Sequence, residues 1–470
     1  MIVARYLALL LPVAAVLAAD RLRERGAGRD RNRRAGCGAG RDRDRRAGCG
    51  AGRDRDRRAG CSAGRDRDRV TAAPVAGRDR DRAGAFLAFL AAAVGVAALH
   101  EVAIRAGWHS FAGVDGAYHG MPVDLWLGWA ALWGAVPVLL RRLVPVPVAL
   151  GLLLWIDMVA MPSLDPLVRL GPHWLHGELL GLAAVALPAQ LLGRWTATGR
   201  HLAARVLLQM AVFTGLVLWL IPSVAFTLGD GGWEHLLDLS GSARVVAAQA
   251  GMAAAVPALA AVREFAVRGG GTPFPWDPPE RLVTTGPYAY VANPMQLSTV
   301  LLVGLLAAAT HSLTLAAVVL GTVAFAAGIA APHEQADLRE RHGAAWLAYR
   351  RQVHDWRPRA RPYPAEPARL WLDDDCGPCA GTRDMLARRS PVRLRIVPAA
   401  THPATLRRAR YEAADGYTAS GVAAVASAFD HLGLGWAYAG WFLRLPVVNQ
   451  LAQLITDAQI APPHPAEGPR

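Results

Sequence analysis

The chain has 470 residues, is 53% hydrophobic, and carries a formal charge of +14 that is all arginine on the basic side, because no lysine occurs. The missing lysine excludes Schiff-base and P-loop lysine chemistry. Residues 20–82 hold 21 Arg against 11 Asp or Glu, a local excess of +10, so the remainder is close to neutral and no nucleic-acid partner is expected.

Apolar residues fall in blocks near 3–19, 85–104, 122–140, 143–161, 177–193, 204–227, 243–262, 295–309 and 311–331. Each is near the length that crosses a bilayer, so the fold class expected is a multi-span α-helical membrane protein. Residues 1–19 read as a transmembrane or signal-anchor segment, with a cleaved signal peptide as the competitor.

Residues 20–82 contain a twelve-residue repeat, AGRDRNRRAGCG and its variants. It has no apolar face and reads as a disordered linker. Cys37, Cys49 and Cys61 recur with it, at a spacing that lacks metal-ligand geometry, so no metal site is expected. Residues 83–240 form about five helices of unassigned role, with Asp157 in GLLLWIDMVAM as their most notable polar residue. Basic loops at Arg21–Arg82, Arg141–Arg142, Arg194–Arg205 and from Arg263 alternate with loops carrying acidic residues. The positive-inside rule then places the C-terminus in the cytoplasm, on a bacterial plasma membrane.

Residues 241–362 form the next region. A loop rich in proline and glycine, GGGTPFPWDPPERLVTTGP (269–287), cannot be a helix or a central strand. It leads through Tyr288 and Tyr290 to Asn293-Pro294, a helix-start signal in which Asn caps free amides and Pro occupies the first turn. After the last span comes PHEQADLRERHGAAWLAYRRQVHDWRPR (332–359), helical in pattern, with Glu334, Leu338, Arg341 and Ala345 on one stripe.

These residues resemble the isoprenylcysteine carboxyl methyltransferase and phospholipid methyltransferase superfamily over about 243–360. The similarity rests on Gly271-Thr272-Pro273, Gly286-Pro287-Tyr288, Val291, Asn293-Pro294-Met295, Glu334, Leu338, Gly343, Trp346, Tyr349 and Trp356-Arg357-Pro358-Arg359. The resemblance implies methyl transfer from S-adenosylmethionine to a lipophilic small-molecule or lipid acceptor. Gly286, Tyr288, Tyr290, Asn293, Pro294, Glu334 and Tyr349 would bind the cofactor, and Glu334 and Arg350 would act in catalysis. Anionic and aromatic groups of this kind suit a sulfonium. Three family residues are replaced, by Ala292, Gln296 and Gln335, which leaves open an inactive anchor.

Residues 369–460 begin RLWLDDDCGPCAGTRDMLARR. A short strand, an acidic turn, Cys376-Gly-Pro-Cys379 opening a helix and a second strand at 392–399 give the order of a thioredoxin-like α/β unit. The stretch resembles the DCC family of thiol-disulfide oxidoreductase-like proteins. That likeness implies redox roles for Cys376 and Cys379 and a thiol partner at Cys376. The alternative function is therefore a membrane-tethered thiol-disulfide oxidoreductase. His402 reads as isolated, with no second Cys pair to complete a zinc site.

Overall fold

The computed structural model describes residues 5, 7–21, 66–274, 277, 279–364 and 367–459. The three repeat cysteines lie outside the described residues. The chain is mostly helical and divides into two compact units, Met1–Leu216 and Val217–Arg470.

In the first unit, α1 covers residues 7–21, followed by α2 (Asp66–Ala106), α3 (Val123–Leu139), α4 (Val146–Ser163) and α5 (Trp174–Thr198). Helix α2 starts inside the segment read as a disordered linker. Near the linker's end, Asp81 is buried and pairs with Arg141 at 2.6 Å. Small residues let the helices meet closely. A Cβ on Gly84 would stand 2.4 Å from the carbonyl oxygen of Gly193, and one on Gly134 2.4 Å from that of Ala88. Such close approach of backbones lets helices associate through packing rather than through apolar burial alone. Strand β1 (His109–Phe111) is followed by the hairpin strands β2 (Ala117–Tyr118) and β3 (Met121–Pro122), and β1 pairs antiparallel with β4 (Val168–Leu170). The hairpin turns through His119 and Gly120, both at positive φ, as a tight two-residue turn requires.

The unit boundary falls within the helical run α6 (Leu202–Leu228). The second unit continues with α7 (Gly241–Gly269), α8 (Pro294–Ala309), α9 (Leu313–Gly328) and α10 (Ala331–Arg350). Ser240 and Ser312 cap α7 and α9, their hydroxyls accepting from Ala243 N and Leu315 N. Against the nine spans that the apolar blocks predict, five helices among the described residues are long and apolar enough to cross a membrane: Asp79–Ala106, α4, α5, α6 and α7. Helices α3, α8 and α9 are apolar but shorter. Leu152, Trp155, Met158 and Val159 on α4, and Val245, Val246 and Met252 on α7, remain exposed. Uncovered apolar faces of this extent mark a surface for a membrane or another protein.

The C-terminal part forms a four-stranded sheet of β5 (Ala368–Leu372), β6 (Leu394–Pro398), β7 (Arg410–Ala413) and β8 (Thr418–Ser420), in the order β6-β5-β7-β8. Strands β5 and β6 are parallel and joined through α11 (Gly377–Ala387), while β7 runs antiparallel to β5 and β8. Leu370, Leu372, Leu386 and Tyr411 pack against α12 (Val422–Ala428). Helix α13 (Leu434–Leu443) turns Ala437 and Trp441 onto Val256 and Ala260 of α7, and α14 (Pro446–Gln459) closes the described chain. The segments read as separate regions, 241–362 and 369–460, thus share one core.

Candidate functional site

Three loops meet at one end of α7, α8 and α10. The first is the turn Gly286–Ala289. Gly286 has φ 58°, and a Cβ there would stand 2.6 Å from Cγ of Glu264. Only glycine permits both the backbone and the close approach. Thr285 donates its hydroxyl to Glu264 at 2.9 Å, which fixes the turn on α7. Tyr288 is then buried, stacked on Phe265 with ring centroids 4.7 Å apart. Its hydroxyl is buried without a hydrogen-bond partner, and burial together with Tyr349, Glu334 and Glu264 pushes its pKa well up.

The second loop enters α8. The sequence casts Asn293 as the helix cap, yet its side chain makes no cap bond. It donates instead to Asp355 at 3.0 Å, because a carboxylate is a stronger acceptor to satisfy than a single amide is a donor. Pro294 takes the first helical position as expected.

The third segment is the end of α10 together with residues 351–359. Arg350 donates to Asp355 at 2.6 Å and to the carbonyl of Val353 at 3.0 Å, with its guanidinium 5.5 Å from the ring centre of Trp346. Tyr349, buried, donates its hydroxyl to the carbonyl of Tyr288 at 2.8 Å. Ala292 N donates to the carbonyl of His354, so the post-helix segment is stitched to the loop before α8. Asp355 is therefore the hub of the cluster. Sequence reasoning passes over it, and the only signal is an acid inside the basic run RRQVHDWRPR.

Glu334, in the first turn of α10, is exposed, and its carboxyl is near enough to Asp355, Arg350 and Tyr288 to act on them electrostatically. Crowding by protein atoms and the nearby Asp355 hold its carboxyl above the ordinary range, against the opposing pull of Arg350 and Arg341. The single stripe expected for Glu334, Leu338, Arg341 and Ala345 is broken, because Gly343 adopts φ 52° and kinks the helix between Arg341 and Ala345. Tyr290 does not join Tyr288 and Tyr349. It is fully buried, and its hydroxyl reaches the carbonyls of Asp430 and Leu432 at 3.2 and 3.0 Å.

Behind the turn lies a buried ionic network. Arg444 donates to Asp430 at 2.7 Å and to Glu264 at 3.4 Å, while Trp441 donates to Asp430 at 2.9 Å. Burial raises the Asp430 carboxyl despite Arg444. This network joins α7 to the sheet region, and only tertiary structure brings its members together.

Cys376 and Cys379 form a disulfide at the start of α11, with Cα atoms 5.2 Å apart, and Cys376 occupies the cap position. Both are half-buried. Asp373, Asp374 and Asp375 precede them, with Arg383 pairing to Asp374. His402 bonds Glu412 at 3.3 Å and meets the Trp371 ring in edge contact. Among the described residues no cluster of three or more His, Cys, Asp or Glu is arranged to hold a metal ion.

No protein-family model matches the chain, nor does any curated protein or solved structure. The functional reading therefore rests on the geometry and on the residue patterns.

Proposed function

We propose that the second unit is an S-adenosylmethionine-dependent methyltransferase acting on a lipophilic acceptor, with a thiol-disulfide oxidoreductase-like region attached. The observation that carries the reading is the convergence of Asn293 and Arg350 on Asp355, with Tyr349 bonded to the Tyr288 turn and the Glu334 carboxyl acting on both Asp355 and Tyr288, beside the first turn of the apolar helix α8. The donor set fits the cofactor: an exposed carboxylate, aromatic rings and one buried phenol without a partner. A sulfonium is favoured by such anionic and aromatic surroundings.

When bound, S-adenosylmethionine supplies an activated methyl group. The chain's own part is positioning. Glu334 offers negative charge on the open side, the Asn293–Asp355–Arg350 bridge holds loop and helix end in register, and the apolar flanks of α8 and α9 admit an acceptor from lipid while excluding water. Orientation of this kind accounts for much of the rate in a transfer between two bound groups. Arg350 is committed to Asp355, so its role is to fix the site rather than to receive the acceptor.

The test is transfer of labelled methyl into the organic extract of membranes that contain the full chain. Label is expected with wild type and loss of at least tenfold with Glu334→Gln, whose exposed position spares the fold. Equal label in the two, or none in either, refutes the reading.

A second activity is favoured by one observation, the Cys376–Cys379 disulfide at the start of a helix between parallel strands. A helix N-terminus favours the thiolate of its first cysteine, and the second resolves a mixed disulfide. The strand order supports a thioredoxin-like reading of this region. With the full chain, Cys379→Ser is expected to trap a mixed disulfide at Cys376 and Cys376→Ser to trap none. Equal trapping by both variants counts against it.

A further inference from the structure

The first unit contains a cavity that neither the methyl-transfer site nor the cysteine pair uses. It is lined by Trp108, Trp129, Trp133 and Trp174 together with His100, His109 and Glu178, and has room for roughly three waters. Glycines on α5 let the indoles close in: a Cβ on Gly177 would stand 2.5 Å from the Trp108 ring, and one on Gly181 2.7 Å from the Trp133 ring.

The buried polar atoms of this aromatic box that lack a protein donor are acceptors. Trp133 donates its indole N–H to Asp157 at 3.0 Å and Trp129 bonds the same carboxylate, so both of those donors are committed. His100 donates Nε2–H to the carbonyl of His119 at 3.0 Å, which leaves Nδ1 as an acceptor, and that atom is buried without a partner. Glu178 shares a hydrogen bond with Asp157, so the two form a buried carboxyl pair, and no protein donor reaches Glu178 Oε1. His100 and Glu178 are 2% and 6% exposed, so water at the surface does not satisfy them. Burial pushes His109 down to about 4, and its ring is neutral at pH 7. No arginine lines the cavity. Orphaned acceptors, a carboxyl pair and four indole faces ask for a ligand that donates hydrogen bonds and carries positive charge.

We propose that the cavity of the first unit binds a small primary alkylammonium, with its N–H groups on Glu178 and His100 and its charge over the indoles. A wider pocket shares His100 and His109 with it and is lined further by His119 and Arg169. Arg169 lines that wider pocket and not the aromatic box, so the cation would be held by the inner box.

The probe is 2-fluoroethylammonium, followed by fluorine NMR with the purified full chain in maltoside micelles, against 2-fluoroethanol as the uncharged analogue of similar size. Saturable broadening is expected for the ammonium alone. Glu178→Gln is expected to weaken binding at least tenfold, and Asp238→Asn, an exposed acid on another element, less than twofold. Trp174→Leu, which keeps both carboxyls, gives an independent reading and is expected to weaken binding severalfold. Equal binding of the alcohol, binding unchanged by both Glu178→Gln and Trp174→Leu, or no saturable binding of the ammonium overturns the proposal.

Discussion

Acid should loosen the C-terminal sheet region through one residue, His431. It is 1% exposed, its Nδ1–H donates to the carbonyl of Val392 at 2.7 Å, and its Nε2 accepts from the Tyr411 hydroxyl at 2.8 Å. The neutral form satisfies both ring nitrogens, whereas the imidazolium would keep the Tyr411 contact only by turning the phenol's own proton away from the ring. Burial, with Arg268 and Arg444 nearby, pushes the pKa from 6.5 to about 4. A folded value below the unfolded one means that this stability is fully present above pH 6.5 and is lost as pH falls through about 4. The gap corresponds to roughly 3 kcal/mol at the lower end, at 1.36 kcal/mol per unit. That is a large part of the stability of one domain. The assay is urea unfolding of the full chain in detergent, labelled with fluorotryptophan so that Trp371 and Trp441 report the sheet region, at pH 7.5, 6, 5 and 4.5. Other carboxylates contribute their own pH dependence, so the comparison is with His431→Asn, whose amide can still donate to Val392. Wild type should lose stability more steeply than the variant between pH 6.5 and 4.5. Parallel slopes for the two proteins would refute the assignment.

The buried contacts set two further outcomes. Arg444→Met leaves Asp430 and Glu264 buried without their shared cation, and should lower the stability of the second unit by about 3–5 kcal/mol; adding Asp430→Asn should recover part of it in the same urea experiment. Gly286→Ala places a methyl against Glu264, whose carboxylate is held by Thr285 and Arg268, and forces alanine into φ 58°. A loss of about 1–3 kcal/mol is expected from the backbone alone, with a fall in methyl transfer larger than that of Tyr290→Phe, whose hydroxyl faces the sheet region instead.

The features legible in the sequence are those that neighbouring residues decide among themselves. Apolar blocks became helices, Pro294 opened α8, and the Cys376–Cys379 pair opened α11 after a strand. A helix or a turn needs only a dozen residues to declare itself. What stayed hidden depends on partners far along the chain. Asn293 looks like a cap because its local context is that of a cap, but Asp355, 62 positions later, accepts its amide. Tyr290 looks equivalent to Tyr288 because the two are neighbours in GPYAY, yet a turn sends one toward Phe265 and the other to carbonyls 140 and 142 residues away. Alternation along a tight turn separates side chains by face, and only the packed structure says which face meets which partner. For the same reason, neighbours in one short motif can be divided between two roles. In this chain the polar loop before α8 faces the candidate site with Tyr288 and Asn293, and it anchors the C-terminal sheet region with Tyr290. A substitution at Tyr290 therefore tests the junction, one at Glu334 tests the chemistry, and agreement between the two would mean that the attached region governs the site it leans on.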